Sequence, residues 1–415
     1  MYSPGNLPNH IGADYPWVVS PLIVSAPMAK VAMPKLAVAV SKAGGLGFIA
    51  AGYHSDHLED LLEEAEDLLQ EGETDAPVGT ETKSPKFLPV GVGFITWSAS
   101  LETALPSFSR YCPAAVWLFA PPTGFQDLIP WATKIREATA FGTNIWVQIG
   151  SVKDAVEVVE AIDPDVIVVQ GLDAGGHSLA KAASIVSLVP EINDKLRDLR
   201  PYPRKRAHIL AAGGISDYRG VAASIALGAQ GCVLGTRFLV SPESMIARGY
   251  QKAILDSSDG GISTVRTKIY DKVRDIQGWP EGYDGRGLIN KTFTDHLCGL
   301  SEVKNRELYR EELNQGDKGY GPNGRLTTYA GTGVGLIREV IPAGDIVRSL
   351  REAGLSQTSP QISTTLSGKN LIEAMREFLV ENFTSDVQDS WTAACGQLAG
   401  LMIQKKNSLY GQYEE

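Results

Sequence analysis

The chemistry of this 415-residue chain is best sought in Gln170-Gly-Leu-Asp-Ala-Gly-Gly-His177, where an imidazole follows two glycines. Histidine changes charge near neutral pH, so His177 can take a proton from a carbon acid or, once protonated, hold an anion. A lone histidine is more often a hydrogen-bonded structural residue. Two other segments make the chemical alternative stronger: Ala211-Ala-Gly-Gly-Ile215 and Leu234-Gly-Thr-Arg-Phe238. Each follows an apolar run, and each offers backbone N–H groups that can approach a phosphate closely, with the Thr236 hydroxyl as a further donor. Either motif alone also fits a tight turn. Together, on consecutive strands, Gly213, Gly214, Gly235 and Thr236 point to a phosphate-bearing cofactor.

Other candidates carry less. His54 and His57 bracket Asp56, but no third ligand lies nearby and Asp56 suits a helix N-cap, so no metal is expected. Cys232 sits inside an apolar run and reads as a packed thiol. Ser25 and Ser98 lack the GxSxG context of a hydrolase nucleophile. The glycine-rich Gly331-Thr-Gly-Val-Gly335 follows no clear strand and reads as a loop leading into a helix, not as a nucleotide fingerprint.

The elements that position these residues repeat along the chain. Eight β-rich runs stand out: Leu22–Met28, Leu46–Ala51, Leu88–Ile95, Ala114–Ala120, Asn144–Gly150, Asp165–Gly171, His208–Gly213 and Gly231–Thr236. Helical spacing separates them over Pro34–Lys42, Leu58–Leu69, Phe125–Ala138, Val152–Ile162 and Tyr218–Leu227. Runs such as Asp165-Val-Ile-Val-Val-Gln170 are apolar throughout, as in parallel sheets covered on both faces. No GxGxxG turn follows the first run, which disfavours an open doubly wound sheet and favours an α/β TIM barrel, (β/α)8. In such a barrel the strand C-termini form the active face, where phosphate commonly binds after strands seven and eight. Residues 1–244 and 326–355 are assigned to the barrel. Residues 245–325, rich in Gly, Asp, Arg and aromatics, form an inserted subdomain over the active face. A barrel-closing helix is expected within Gly331–Ala353, packing Ile337, Val340, Ile341 and Ile346. Residues 356–415 read as a polar linker and a helical C-terminal extension, Leu371–Asn382 and Asp386–Lys405.

Bulk properties narrow the class. A composition of 43% hydrophobic and 21% charged residues suits a large buried core. A formal net charge of −10, with no basic run, argues against a nucleic-acid partner. The four cysteines, Cys112, Cys232, Cys298 and Cys395, include no CxxC pair, which suits a reducing cytoplasm. No basic, apolar leader and no stretch of about 18 apolar residues is present, so no membrane partner is expected. Nothing here speaks to oligomeric state.

Taken together, Ala26-Pro27-Met28, Gly91-Val-Gly-Phe94, Gln170–His177, Gly213-Gly214 and Gly235-Thr-Arg-Phe238 resemble the nitronate monooxygenase family, formerly 2-nitropropane dioxygenases. The Trp279–Tyr283 and Tyr329–Ile337 stretches resemble its fungal members most. The resemblance spans about residues 20–355. It implies FMN, with the isoalloxazine near Ala26, Pro27 and Met28, and Gln148 reaching the ring or the ribityl chain. Ala212, Gly213, Gly214, Gly235 and Thr236 would take the phosphate, Gly175 and Gly176 would let the backbone pass close to the flavin, and His177 would be catalytic. It also implies oxidation of a small nitronate with O2 to a carbonyl compound and nitrite. Two departures stand out, because many bacterial relatives carry Asn in place of Gly93 and Lys in place of Gln148. Three alternatives stay open: an FMN-dependent enoyl-thioester reductase, a flavin enzyme of secondary metabolism, and a non-redox barrel that binds a phosphorylated metabolite.

Overall fold

Strand alternation sorts the apolar residues of the eight runs into two sets, and the computed structural model of the chain shows where each set goes. It describes residue 11 and residues 14–71, 87–199 and 207–358, with side chains described as far as residue 351. The strands are β1 (Leu22–Ser25), β2 (Leu46–Gly52), β3 (Leu88–Ile95), β4 (Pro113–Phe119), β5 (Asn144–Ile149), β6 (Val166–Gln170), β7 (Gly176–Leu179), β8 (His208–Ala212), β9 (Gly231–Leu234), β10 (Thr264–Thr267) and β11 (Tyr283–Leu288). All but β7, β10 and β11 form a closed parallel barrel in the order β1-β2-β3-β4-β5-β6-β8-β9, which β9 completes by pairing with β1. All eight runs read from the sequence are therefore barrel strands.

Leu22, Val24, Leu46, Phe48, Trp117, Trp146, Val166, Val168, Leu210 and Val233 fill the barrel interior. Their neighbours Ile23, Ile49, Val116, Ile145, Val147, Ile167, Val169 and Ile209 pack outward under the helices. This is the period-two division expected of strands buried on both faces. The inner layer is aromatic, with Phe48 and Trp146 centroids 4.9 Å apart. Gly91 makes room for it, since a Cβ there would overlap the Phe48 ring. At the strand N-termini Tyr15 is fully buried, and its hydroxyl accepts from Trp146 Nε1 at 2.7 Å and Asn144 Nδ2 at 3.0 Å.

The helices Pro34–Lys42, Leu58–Gln70, Ile129–Ala138, Val152–Ile162 and Tyr218–Ala226 lie where the apolar spacing puts them, with Phe125–Leu128 a 3-10 turn before the third. Ser151 and Asp217 cap two of them through their side chains. Asp56 does not act as a cap: His57 occupies the N-cap position of Leu58–Gln70 without a side-chain bond, and the Leu58 N–H instead donates to the Ser55 carbonyl.

The end of the barrel also departs from expectation. Thr332–Leu336 is a 3-10 turn, and the closing helix is Ala343–Thr358. It starts where Glu243 accepts from the Ala343 N–H, just past Pro342, so it cannot extend back to Gly331. Ile346, Val347 and Leu350 bury against the barrel helices, Ile337 joins a separate cluster with Ile254 and Ala330, and Val340 is exposed. The helix also overruns the expected linker start at residue 356. The rest of the linker and both C-terminal helices lie outside the described residues.

The largest unforeseen feature is a second sheet, β10-β11-β7, antiparallel throughout. Its β7 comes from the loop after β6, while β10 and β11 come from residues 245–325. That region is thus hydrogen-bonded to the barrel's own active-face loop. Four residues beginning Gly-His show no alternation by which the sequence would announce a strand.

Helix Pro34–Lys42 presses on β2 so closely that a Cβ at Gly47 would overlap the Ala37 backbone. Gly47→Ala is expected to cost about 1–3 kcal/mol. A thermal melt followed by circular dichroism checks this, and an unchanged midpoint would refute the close seating.

Candidate active site

The site grows from strand parity. Gln148 and Gln170 share the inward parity of Trp146 and Val168, one step nearer the C-terminal mouth. Gln148 Oε1 accepts from Trp117 Nε1 at 3.1 Å, and Gln148 Nε2 donates to Gln170 Oε1 at 2.5 Å. Gln170 Nε2 donates in turn to the backbone carbonyl of His177 at 3.2 Å. An amide chain, buried at Gln148 and half-buried at Gln170, therefore ties the barrel interior to β7. One N–H and one lone pair of Gln148 remain for a ligand.

On the second sheet His177 lies opposite Gly285. A side chain at 285 would meet the Tyr329 ring and His177 Nε2, so glycine lets those two groups converge. His177 Nε2 lies 3.0 and 2.9 Å from the two carboxylate oxygens of Asp271, on the short helix Ile269–Val273. The two side chains are 9% and 8% exposed. Tyr329 Oη donates to Asp271 Oδ1 at 3.1 Å, and Arg274 Nη1 donates to Tyr329 Oη at 3.2 Å. Burial, reinforced by the Asp271 charge, pushes the Tyr329 phenol well above its ordinary range.

The imidazole is sandwiched. Trp279 stacks on it with centroids 3.8 Å apart and planes 8° apart, and Tyr329 leans on it at 5.3 Å. Around Trp279 stand Tyr53, Trp97, Phe119 and Tyr283, all within 6.3 Å between centroids. Burial pushes the Tyr53 phenol up to about 12.

A second group of residues gathers beside this wall. Gly213 and Gly214 adopt φ of +106° and +75°, a left-handed conformation that favours glycine. Gly235 would meet only Met28 Sδ and the Ala26 Cβ, at 3.7 and 3.9 Å, and Gly176 has nothing within 4 Å. The Ala26 N–H donates to the Leu234 carbonyl, which brings the end of β1 beside Gly235. Pro27 fills the space over Gly93, where any Cβ would overlap its ring. Ala212 closes β8, and its carbonyl accepts from the Gly171 N–H.

The glycine-rich segment 331–335 turns out to be a wall of this cradle. Its Gly331 N–H donates to Thr236 Oγ1 at 3.0 Å, while Thr332 holds Asp173 through its N–H and its hydroxyl, both at 3.0 Å. Gly175 packs on the Ala330–Gly331 backbone, where a Cβ would overlap. Its lack of a side chain therefore admits that segment.

The remaining candidates stand apart. His57 pairs with Asp60 on the surface, and no group of three or more His, Cys, Asp or Glu suited to a metal occurs among the described residues. Ser25 is buried against the Phe48 N–H, and Ser98 donates to the Tyr53 carbonyl. Cys232 is buried in β9, and burial pushes its thiol up to about 12. Asp271 and Arg274 had no local signature in the sequence, and Tyr329 entered only as the start of the Tyr329–Ile337 stretch, with no role read for its side chain. Removing the indole by Trp279→Ala is expected to speed carbethoxylation at His177 several-fold, read by peptide mass spectrometry. An unchanged rate would mean that the indole does not shield the ring.

A nitronate monooxygenase family model matches residues 17–88 and 125–353. The chain is 43% identical to nitronate monooxygenase npaC of Metarhizium robertsii over 344 residues, 82% of this chain and 93% of that protein. It is 41% identical to nitronate monooxygenase of Neurospora crassa over 354 residues, 81% of this chain and 90% of that one. Among solved structures, FabK from Thermotoga maritima superposes with a TM-score of 0.60 at 25% identity, covering 81% of this chain and 93% of that one. Nitroalkane oxidase from Streptomyces ansochromogenes gives 0.60 at 23% identity, covering 82% and 98%, a likeness of fold. The family match spans most of the chain and takes in both the cradle and His177, so this protein belongs to the nitronate monooxygenase family.

Proposed function

We propose that this protein uses FMN to oxidise small alkyl nitronates with O2, yielding a carbonyl compound and nitrite. The observation that carries this proposal is the juxtaposition of a carboxylate-held imidazole, His177, with two adjacent glycine turns suited to a phosphate. The turns pass a chemical test of fit. Thr236 Oγ1 already accepts from the Gly331 N–H, so its own hydrogen is left to donate to a phosphate oxygen. Gly176 and Gly235 leave space for a bulky neighbour. Ala212, Gly213, Gly214, Gly235 and Thr236 would hold the phosphate, and Ala26, Pro27, Met28, Gln148 and Gly176 would border the ring and its chain. When bound, FMN supplies electron acceptance from the substrate carbon and passage of electrons to oxygen.

The rest falls to the protein. His177, when protonated, attracts an anionic nitronate; when neutral, it removes the proton that converts a nitroalkane into one. Trp279, Trp97, Tyr53, Phe119 and Tyr283 wall the imidazole from water, which strengthens its electrostatic hold on an anion. No helix among the described residues is long and apolar enough to cross a membrane, and the substrate proposed is a small anion met in water.

Two outcomes are expected. Purified protein should be yellow, release FMN on denaturation and form nitrite from propionate 3-nitronate while consuming oxygen. A colourless protein that takes up no FMN would end the proposal, and rapid flavin bleaching by NAD(P)H without substrate would favour an enoyl-thioester reductase instead. His177→Asn should keep its flavin and lose roughly 10²–10⁴-fold in nitroalkane turnover. Thr236→Val should weaken FMN retention about 10-fold or more, since a hydrogen bond to a charged group is lost, as measured by flavin fluorescence on dilution.

A further inference from the structure

Resting on that proposed function, we infer that Asp271 is a positioning residue: it keeps the proton of neutral His177 on Nε2, so that Nδ1 is the basic atom meeting the substrate. Both Asp271 oxygens lie within 3.0 Å of Nε2, and a carboxylate only accepts, so the hydrogen of that bond sits on Nε2. No described residue bonds to Nδ1, which keeps its lone pair. The imidazole cannot turn over to exchange its nitrogens, because Trp279 lies flat on it at 3.8 Å while Tyr329 flanks it at 5.3 Å.

Asp271 is itself fixed by a one-way chain. Arg274 can only donate, and it donates to Tyr329 Oη. That leaves the tyrosine hydrogen free to point at Asp271 Oδ1. Burial and the Asp271 charge keep the phenol protonated, so this donor persists across the working pH range. The ionisable groups meeting at the imidazole, directly or through this chain, are thus Asp271, Tyr329 and Arg274, with Tyr53 on the far side of Trp279.

The proton transfer this arrangement supports is balanced. In a neutral nitroalkane the bond from the α-carbon to hydrogen breaks, its electron pair moves onto the nitro group to give the nitronate, and a new N–H bond forms at Nδ1. The imidazolium so created carries a hydrogen on each nitrogen and is countered by the Asp271 carboxylate. Removing the carboxylate while keeping its shape should undo this. In Asp271→Asn the Tyr329 hydroxyl selects the amide oxygen for its own bond, so the amide NH2 is turned toward Nε2. Nε2 then becomes the acceptor and the proton moves to Nδ1, which can no longer act as a base. The same inversion of a histidine tautomer is costly in serine proteases.

The test combines a tautomer measurement with two substrates. Nitrogen-15 NMR of histidine-labelled holoenzyme at a pH where His177 is neutral should show wild type protonated at Nε2 and Asp271→Asn protonated at Nδ1. Asp271→Asn should lose at least about 100-fold in kcat with a neutral nitroalkane, and a clearly smaller factor with preformed nitronate, because no C–H bond is broken there. Asp271→Glu, which restores an acceptor, should recover the wild-type tautomer and much of the nitroalkane rate. Three results would each overturn the inference: an Nδ1-protonated wild type, an unchanged tautomer in Asp271→Asn, or equal loss on both substrates without rescue by Glu. The wild-type spectrum decides the matter even if a variant fails to fold. If wild type instead oxidises neither substrate, the proposed function fails, while the tautomer result stands or falls separately.

Discussion

The antiparallel pairing of β7 with β11 is the constraint on which the site depends. Without it, His177 would sit in an irregular loop after β6, far in sequence from the residues that give it chemical character. The pairing sets Gly285 opposite His177, and the space left by that glycine admits Tyr329 beside the imidazole. The strand turns between Trp279 and Tyr283 then carry the aromatic wall to the same place. A single register thus brings together a barrel loop, a strand of the inserted region and a residue 152 positions after His177. A slip of one residue would turn His177 to the opposite face of the sheet.

Burial makes this assembly coherent. A carboxylate as enclosed as Asp271 is costly unless its oxygens are bonded, and here His177 and Tyr329 both serve it. The Tyr329 hydroxyl is in turn served by Arg274. The Asp271 carboxylate, His177 Nε2 and the Tyr329 hydroxyl are therefore all paired, and the order of donors leaves little freedom in which way their hydrogens point. The amide chain Trp117-Gln148-Gln170 reaches His177 from below in the same way, gripping its backbone and leaving its ring free.

Most of the barrel was legible because parallel strands covered on both faces are written as uninterrupted apolar runs, and Val166–Gln170 or Leu22–Ser25 could hardly be anything else. The tight turn at Gly213–Gly214 was legible because a glycine pair at the end of such a run is locally specific. What stayed hidden depends on partners distant in sequence. Asp271 resembles any surface carboxylate until β11 folds back on β7, and the strand character of Gly176–Leu179 exists only through that partner. Segment 331–335 looked like a leader to a helix because its role, gripping Thr236 and Asp173, leaves no periodic trace. Asp56 shows the opposite failure, since a good capping residue was present but the helix has its N-cap one residue later, at His57.

The filled interior of the barrel carries one more implication. Phe48, Trp117 and Trp146 close the lumen, and Tyr15 seals its base through two hydrogen bonds. Such a lumen is a blind-ended vessel: no molecule can pass through from the strand N-termini. Among the described residues that packing leaves the strand C-terminal side, where Gln148, Gln170 and His177 meet, as the approach for any ligand of the site.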